Sequence, residues 1–299
     1  MFSQNTIFPV SGISNSKTIY CNENGYYSIF KSDRYGFNNP DDQWDKKKIE
    51  YLLVGDSYAM GACVNRPNDI GSFLRSFSGN PVLNLAYAGD GPLIEYATLR
   101  EYLNDNVKNV LWIYYEGNDF SDFNLELSNK ILKNYLNDPT FTQNLKSKQN
   151  QIDTMGNNLI ANELRNNFKN KIISLIKIKK TRLLLTQPKT IPKEPKPQPE
   201  FRNILQQAKD LANKKKSNLY FIYLPTYNRY ETNYNGYDFN YSSVKKIVEE
   251  LDITFIDILN EVFEKENDPL SLFPFKTNSH YNEKGYMKIA ETIIKYSTD

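Results

Sequence analysis

From Tyr51 onward, five short apolar runs recur along the chain: 51–54, 82–85, 110–115, 219–224 and 253–256. Each is too short for a helix and too apolar for a half-exposed strand, the pattern of a strand buried on both faces. Helical stretches such as 93–104 and 201–214 lie between them. Strands alternating with helices predict one open parallel sheet covered on both sides. Ligands of such sheets bind beyond the carboxyl ends of the strands.

Around this frame the chain divides unevenly. Residues 1–48 are polar and rich in turn formers, with a short strand expected at Tyr26–Phe30. They read as an arm or small β layer packed on a main domain spanning 49–299. An insertion of about 127–205 separates the third and fourth strands. Within it Ile160, Leu164, Phe168, Ile172 and Ile176 repeat every four residues and predict an amphipathic helix. Five prolines between Pro188 and Pro199 make 187–200 an extended linker.

Composition narrows the function classes. The net charge of +2 offers no global field for nucleic acid. The stretch 168–200 is locally basic, at net +7, and reads either as a solvated lid face or as a membrane-surface contact. No run of about 18 apolar residues predicts a membrane span. Met1–Thr6 lacks the basic start and apolar core of a secretory signal, so the expectation is a cytoplasmic protein or one whose targeting segment is missing from this chain. Cys21 and Cys63 match no zinc or redox spacing. They are either two buried thiols or one disulfide tying the arm to the main domain, the latter requiring an oxidising compartment.

Four motifs fall where the predicted sheet would place a site. Gly55-Asp56-Ser57 follows the first strand, so a serine hydroxyl is exposed above the sheet. Gly89 follows the second strand and can point its N–H into the site with no side chain in the way. Glu116-Gly117-Asn118-Asp119 follows the third: the Asn118 amide can donate to a developing oxyanion, and Asp119 can hold the turn through backbone hydrogen bonds. The fourth is Asn278-Ser279-His280-Tyr281-Asn282, in which Asn282 caps a terminal helix with Tyr286, Ile289 and Ile293 on its inner face. His280 is the chain's one histidine and the one side chain whose ordinary titration suits acid–base work near neutrality. A histidine paired with a serine on a strand-to-loop turn suggests acyl transfer. Each motif alone also reads as an ordinary turn.

The order Gly-Asp-Ser, a glycine after strand two, Gly-Asn-Asp after strand three and a late histidine before a final helix resembles the SGNH (GDSL-type) hydrolase superfamily. The likeness covers 50–126 and 217–299. It implies a flavodoxin-like three-layer α/β/α fold with a five-stranded parallel sheet in the order 2-1-3-4-5, to which this chain adds an N-terminal arm and a helical insertion. It also implies Ser57 as nucleophile, His280 as general base, an oxyanion hole from the Ser57 and Gly89 N–H groups with the Asn118 amide, and neither metal nor cofactor. The Asn-Ser-His-Tyr-Asn, Gly-Asn-Asp and Gly-Pro blocks look closest to cell-envelope enzymes acting on acyl groups of polysaccharides, such as alginate O-acetyltransferases. The implied function is an esterase or acyltransferase on O-acyl esters, acetyl first, of carbohydrate. Activity would rise with pH through one ionisation at about 6–7.

Two positions depart from the family. Tyr58 stands for the usual leucine. More seriously, the acid that the family places two or three residues before the histidine is here Asn278 or Thr277, neither of which carries charge. In a serine protease triad, Asp→Asn costs about 10⁴ in kcat. Asn278 is the nearest candidate to orient His280; a backbone carbonyl, Asp257 or Asp268 are others. The gap motivates two alternatives. One is a weakened, carbohydrate-binding accessory module with Tyr227, Tyr230, Tyr234 and Tyr237 as a sugar-stacking wall. The other is a membrane-surface lipid esterase using 168–200.

Overall fold

A computed structural model describes residues 7–162, 197, 199–231 and 238–297. Strands β3 (Ile49–Gly55), β4 (Val82–Asn84), β5 (Val107–Tyr115), β6 (Asn218–Leu224) and β7 (Thr254–Asp257) correspond to the five apolar runs. They form one parallel sheet in the order β4-β3-β5-β6-β7, the expected 2-1-3-4-5. Before them, β1 (Lys17–Ile19) and β2 (Ile29–Lys31) pair antiparallel in the arm. The strand expected at 26–30 therefore sits later, because a turn occupies residues 23–26.

Strand alternation sends successive side chains to two separate cores. Leu52, Val54, Val110, Trp112, Tyr114, Phe221 and Tyr223 face one side. Tyr51, Leu53, Leu111, Ile113, Ile222 and Leu224 face the other. On the second side lie α1 (Ser57–Met60), α2 (Ile70–Ser78) and the terminal helix, Glu283–Ser297. The first side is covered by α3 (Pro92–Tyr102), α4 (Asp119–Glu126), α5 (Lys130–Asn137) and the helices Pro199–Lys214 and Tyr241–Glu250. This is the three-layer architecture expected.

Much of the arm is built into the first core. Val10 and Phe37 are buried there. Buried Asp33 accepts from Tyr35 N, Phe37 N, Asn39 Nδ2 and Trp44 Nε1, which fixes the 33–44 segment. Asn39 in turn exchanges two hydrogen bonds with the Asn84 backbone at the end of β4, so the arm pairs with the sheet edge by a side chain in place of a strand.

Of the insertion, α5 and a helix over 149–162 are described. The expected helix beyond Ile160, most of the basic 168–200 stretch and most of the proline linker lie outside the described residues. At its C-terminal end, Pro199 and Glu200 already open a helix where an extended linker was expected. Among the described residues, no helix is long and apolar enough to cross a membrane.

Candidate active site

The turn that carries Ser57 is dictated by a glycine and an aspartate. Gly55 ends β3 where a Cβ would lie 2.6 Å from the Ile113 carbonyl oxygen, so no larger residue lets the chain turn so close to β5. Buried Asp56 then caps α1 by accepting from Tyr58 N at 2.8 Å. Burial pushes the Asp56 carboxyl up to about 6, against the lowering effect of that backbone N–H. Ser57 is the first residue of α1, and its N–H finds no acceptor among the described residues.

Across the sheet edge, the terminal helix brings His280 back. Asn282 accepts from Gly285 N through its side chain and from Tyr286 N through its carbonyl, the predicted cap. Tyr286, Ile289 and Ile293 are fully buried, as the helix period requires. Tyr281 donates to the Pro225 carbonyl at 2.5 Å, anchoring the loop from below. His280 Nε2 then lies 2.9 Å from Ser57 Oγ, across 223 positions of sequence. The Ser57–Asp56 contact, at 3.5 Å, is too long to compete for the hydroxyl proton.

Tyr58 does more than substitute for leucine. Its ring stacks on Tyr115 at 3.7 Å and leans on the imidazole of His280 at 4.6 Å. Its hydroxyl donates to Tyr115 Oη and also reaches the Ser279 carbonyl. One residue after the serine thus supplies the wall against which the histidine rests.

The carboxylate behind the histidine comes from the arm. Glu23 Oε2 lies 3.0 Å from His280 Nδ1 and also accepts the His280 backbone N–H at 2.7 Å. Burial alone would raise this carboxyl, but hydrogen bonding and charge from His280 outweigh burial and hold it below the usual range. An ionised Glu23 keeps the proton on Nδ1 and leaves Nε2 as the acceptor facing serine. The expectation for Asn278 is corrected: it is exposed and donates to Asn228 Oδ1. The other candidates are also engaged elsewhere. Thr277 bonds Pro274, Asp257 pairs with Tyr241 and Asn260, and Asp268 pairs with Lys276.

Sequence reasoning missed Glu23 because one acid in a polar loop carries no pattern. The signal lay in the cysteines. Cys21 and Cys63 form a disulfide, so an acid two residues after Cys21 is carried beside the turn six residues before Cys63.

The remaining expected groups stand at the same edge. Gly89 is exposed at φ 85°, a left-handed conformation suited to glycine, and its N–H has no acceptor among the described residues. Asn118 Nδ2 donates to Asp122 Oδ2 at 2.8 Å. Asp119 is buried and accepts from Tyr115 N, holding the turn as expected. Behind them, Glu126 accepts from Gly91 N and Leu93 N at the start of α3, and burial lifts its carboxyl to about 7 despite those bonds. Beside Glu116 a second ion pair fixes the loop after β6: Arg229 Nε and Nη2 each reach a Glu116 oxygen at 2.6 Å. Of the tyrosines read as a sugar wall, Tyr230 stacks on Phe263 and Tyr227 donates to the Lys276 carbonyl, while Tyr234 and Tyr237 lie outside the described residues.

Among the described residues one group has metal-ligand spacing, namely Glu23, His280 Nδ1 and Cys63 Sγ, within 4.8 Å of one another. Its sulfur is committed to the disulfide and offers no thiolate, so the set does not fit a metal.

No family model and no curated protein matches the chain. Solved structures do. A protein assigned to the G-D-S-L lipolytic family from Desulfitobacterium hafniense DCB-2 aligns at 12% identity over 83% of this chain and 99% of its own, with a TM-score of 0.48. A G-D-S-L family lipolytic protein from Veillonella parvula DSM 2008 aligns at 12% identity over 83% and 97%, TM-score 0.45. A single-residue variant of Axe2, an acetyl xylan esterase from Geobacillus stearothermophilus, aligns at 12% identity over 84% and 97%, TM-score 0.45. At these values the chemistry of this chain is left to its own residues.

Proposed function

We propose that this chain is a serine esterase or acyltransferase of the SGNH type, working through Ser57, His280 and Glu23. The observation that carries the reading is the unbroken relay from Ser57 Oγ to His280 Nε2 at 2.9 Å and from His280 Nδ1 to Glu23 Oε2 at 3.0 Å. His280 takes the serine proton as Oγ attacks an ester carbonyl. Glu23 orients the ring and stabilises the imidazolium that forms. His280 then returns the proton to the leaving alcohol, and a second attack on the acyl-enzyme by water or a sugar hydroxyl releases the acyl group.

The tetrahedral oxyanion would be received by the Ser57 and Gly89 N–H groups and by Asn118. An amide carries two N–H bonds, so Asn118 can serve by turning one from its resting carboxylate neighbours. Each donor is typically worth about 3–4 kcal/mol. The accessory-module alternative rests on a missing carboxylate, and Glu23 supplies one.

We place the substrate among short O-acyl esters, acetyl first, borne on carbohydrate. That part rests on the likeness of the Asn278–Asn282, Gly117–Asp119 and Gly89–Pro92 blocks to polysaccharide-modifying enzymes. The disulfide favours an oxidising compartment. A fluorophosphonate probe and p-nitrophenyl acetate test the core of the reading. Wild type should label and hydrolyse, and Ser57→Ala should do neither. Equal labelling of the two proteins would sink the serine mechanism. Release of acetate from an acetylated polysaccharide, with and without an added acceptor sugar, then separates esterase from transferase.

A further inference from the structure

The stretch carrying Glu23 has almost no hydrophobic anchorage. Between Asn15 and Lys31 a single residue, Ser28, is buried. Ile19, Tyr20, Tyr27 and Ile29 are all exposed. The strands β1 and β2 have three residues each, too few to be stable as an isolated hairpin. Apolar burial therefore cannot be what holds Glu23 against His280.

Among the described residues, five links join this hairpin to the residues around the site, apart from Glu23 itself. Asn24 Nδ2 donates to the Cys63 carbonyl, Ile29 N to Asn65 Oδ1, Tyr26 Oη to Glu283, and Arg66 Nη2 to the Lys31 carbonyl. These are exposed or half-buried hydrogen bonds, typically worth about 1 kcal/mol each. The fifth is covalent: the Cys21–Cys63 disulfide. It joins a residue two before the acid to one six after the nucleophile. Cys63 Sγ also stands 3.4 Å from His280 Nδ1, on the same ring edge that Glu23 occupies.

We infer that Cys21 and Cys63 are positioning residues of the catalytic apparatus, and that their disulfide holds Glu23 in register with His280. This rests on the Ser57–His280–Glu23 reading. A dithiol opens the bond by thiol–disulfide exchange. Its two thiols are oxidised to a cyclic disulfide, and Cys21 and Cys63 gain two electrons and two protons. The α/β domain, with its two cores on either face of the sheet, needs no such bond, so reduction releases the acid and leaves the Ser57–His280 pair.

The test compares oxidised and dithiothreitol-reduced protein, with free thiols counted, in hydrolysis of p-nitrophenyl acetate. Reduction should lower kcat by about 10-fold or more with KM little changed, as loss of the acid does in a serine triad. Fluorophosphonate labelling of Ser57 should persist at a lower rate, and re-oxidation should restore kcat. Glu23→Gln supplies the discriminating arm, since its kcat should be the same before and after reduction. Cys21→Ser/Cys63→Ser should match reduced wild type. Three results would overturn the inference: a reduced enzyme with two free thiols that keeps its kcat, a Glu23→Gln variant that reduction impairs as much as wild type, or loss of cooperative thermal melting on reduction. Activity surviving in Ser57→Ala would instead overturn the catalytic reading beneath it.

Discussion

At the residue scale, the site turns on which oxygen stands behind His280. Replacing Glu23 by Gln removes the charge while keeping most of the shape. The expected loss in kcat is up to about 10⁴. Stopped assays of p-nitrophenyl acetate hydrolysis read the loss. An unchanged kcat would remove Glu23 from the mechanism. Asn278→Ala should by contrast leave kcat within about twofold, since an exposed amide bonded to Asn228 is an ordinary surface group. Ser57 and His280 were legible because each sits in a motif with a fixed place on the sheet. Glu23 was not, because its position is a tertiary consequence of the disulfide. Tyr58 was hard to read for a related reason: sequence shows that it departs from leucine but not that its ring backs the histidine.

At the element scale, the fold was readable because a parallel strand covered on both sides must be apolar throughout, and each of the five runs was. Pro92 begins α3 and Asn282 caps the terminal helix, as local chemistry demands. The arm was less readable. Its pairing with β4 uses Asn39 side-chain bonds, which leave no periodic trace. An interior ion pair helps to hold the loop after β6. Glu116 is buried with Arg229, Thr226 N and Tyr223 Oη all directed at its two oxygens. Glu116→Ala removes the buried carboxylate that Arg229, Thr226 N and Tyr223 Oη share, and a stability loss of about 3–5 kcal/mol is expected in urea unfolding. A loss under about 1 kcal/mol would mean that the loop is held by other contacts.

At the scale of the whole molecule, carboxylates crowd the sheet edge behind Ser57. Asp56, Asp90, Glu95, Asp119 and Glu126 are all buried, and burial raises every one of them. A carboxyl raised in the folded state binds more protons there than in the unfolded chain. Stability is therefore highest below the unfolded value and declines as pH rises toward the folded one. For Glu126 that window runs from the ordinary carboxyl range to about 7. Glu126→Gln removes the titration, so its melting temperature relative to wild type should climb between about pH 5 and about pH 8, by a free energy on the order of 3 kcal/mol at most. A difference that is flat with pH would show that Glu126 does not titrate in this window. The three groups of the relay come from opposite ends of the polypeptide, at positions 23, 57 and 280, with the whole sheet between them. A ribosome making this protein thus completes every strand of the sheet before His280 emerges, so Ser57 and His280 can meet only once the helix Glu283–Ser297 has docked.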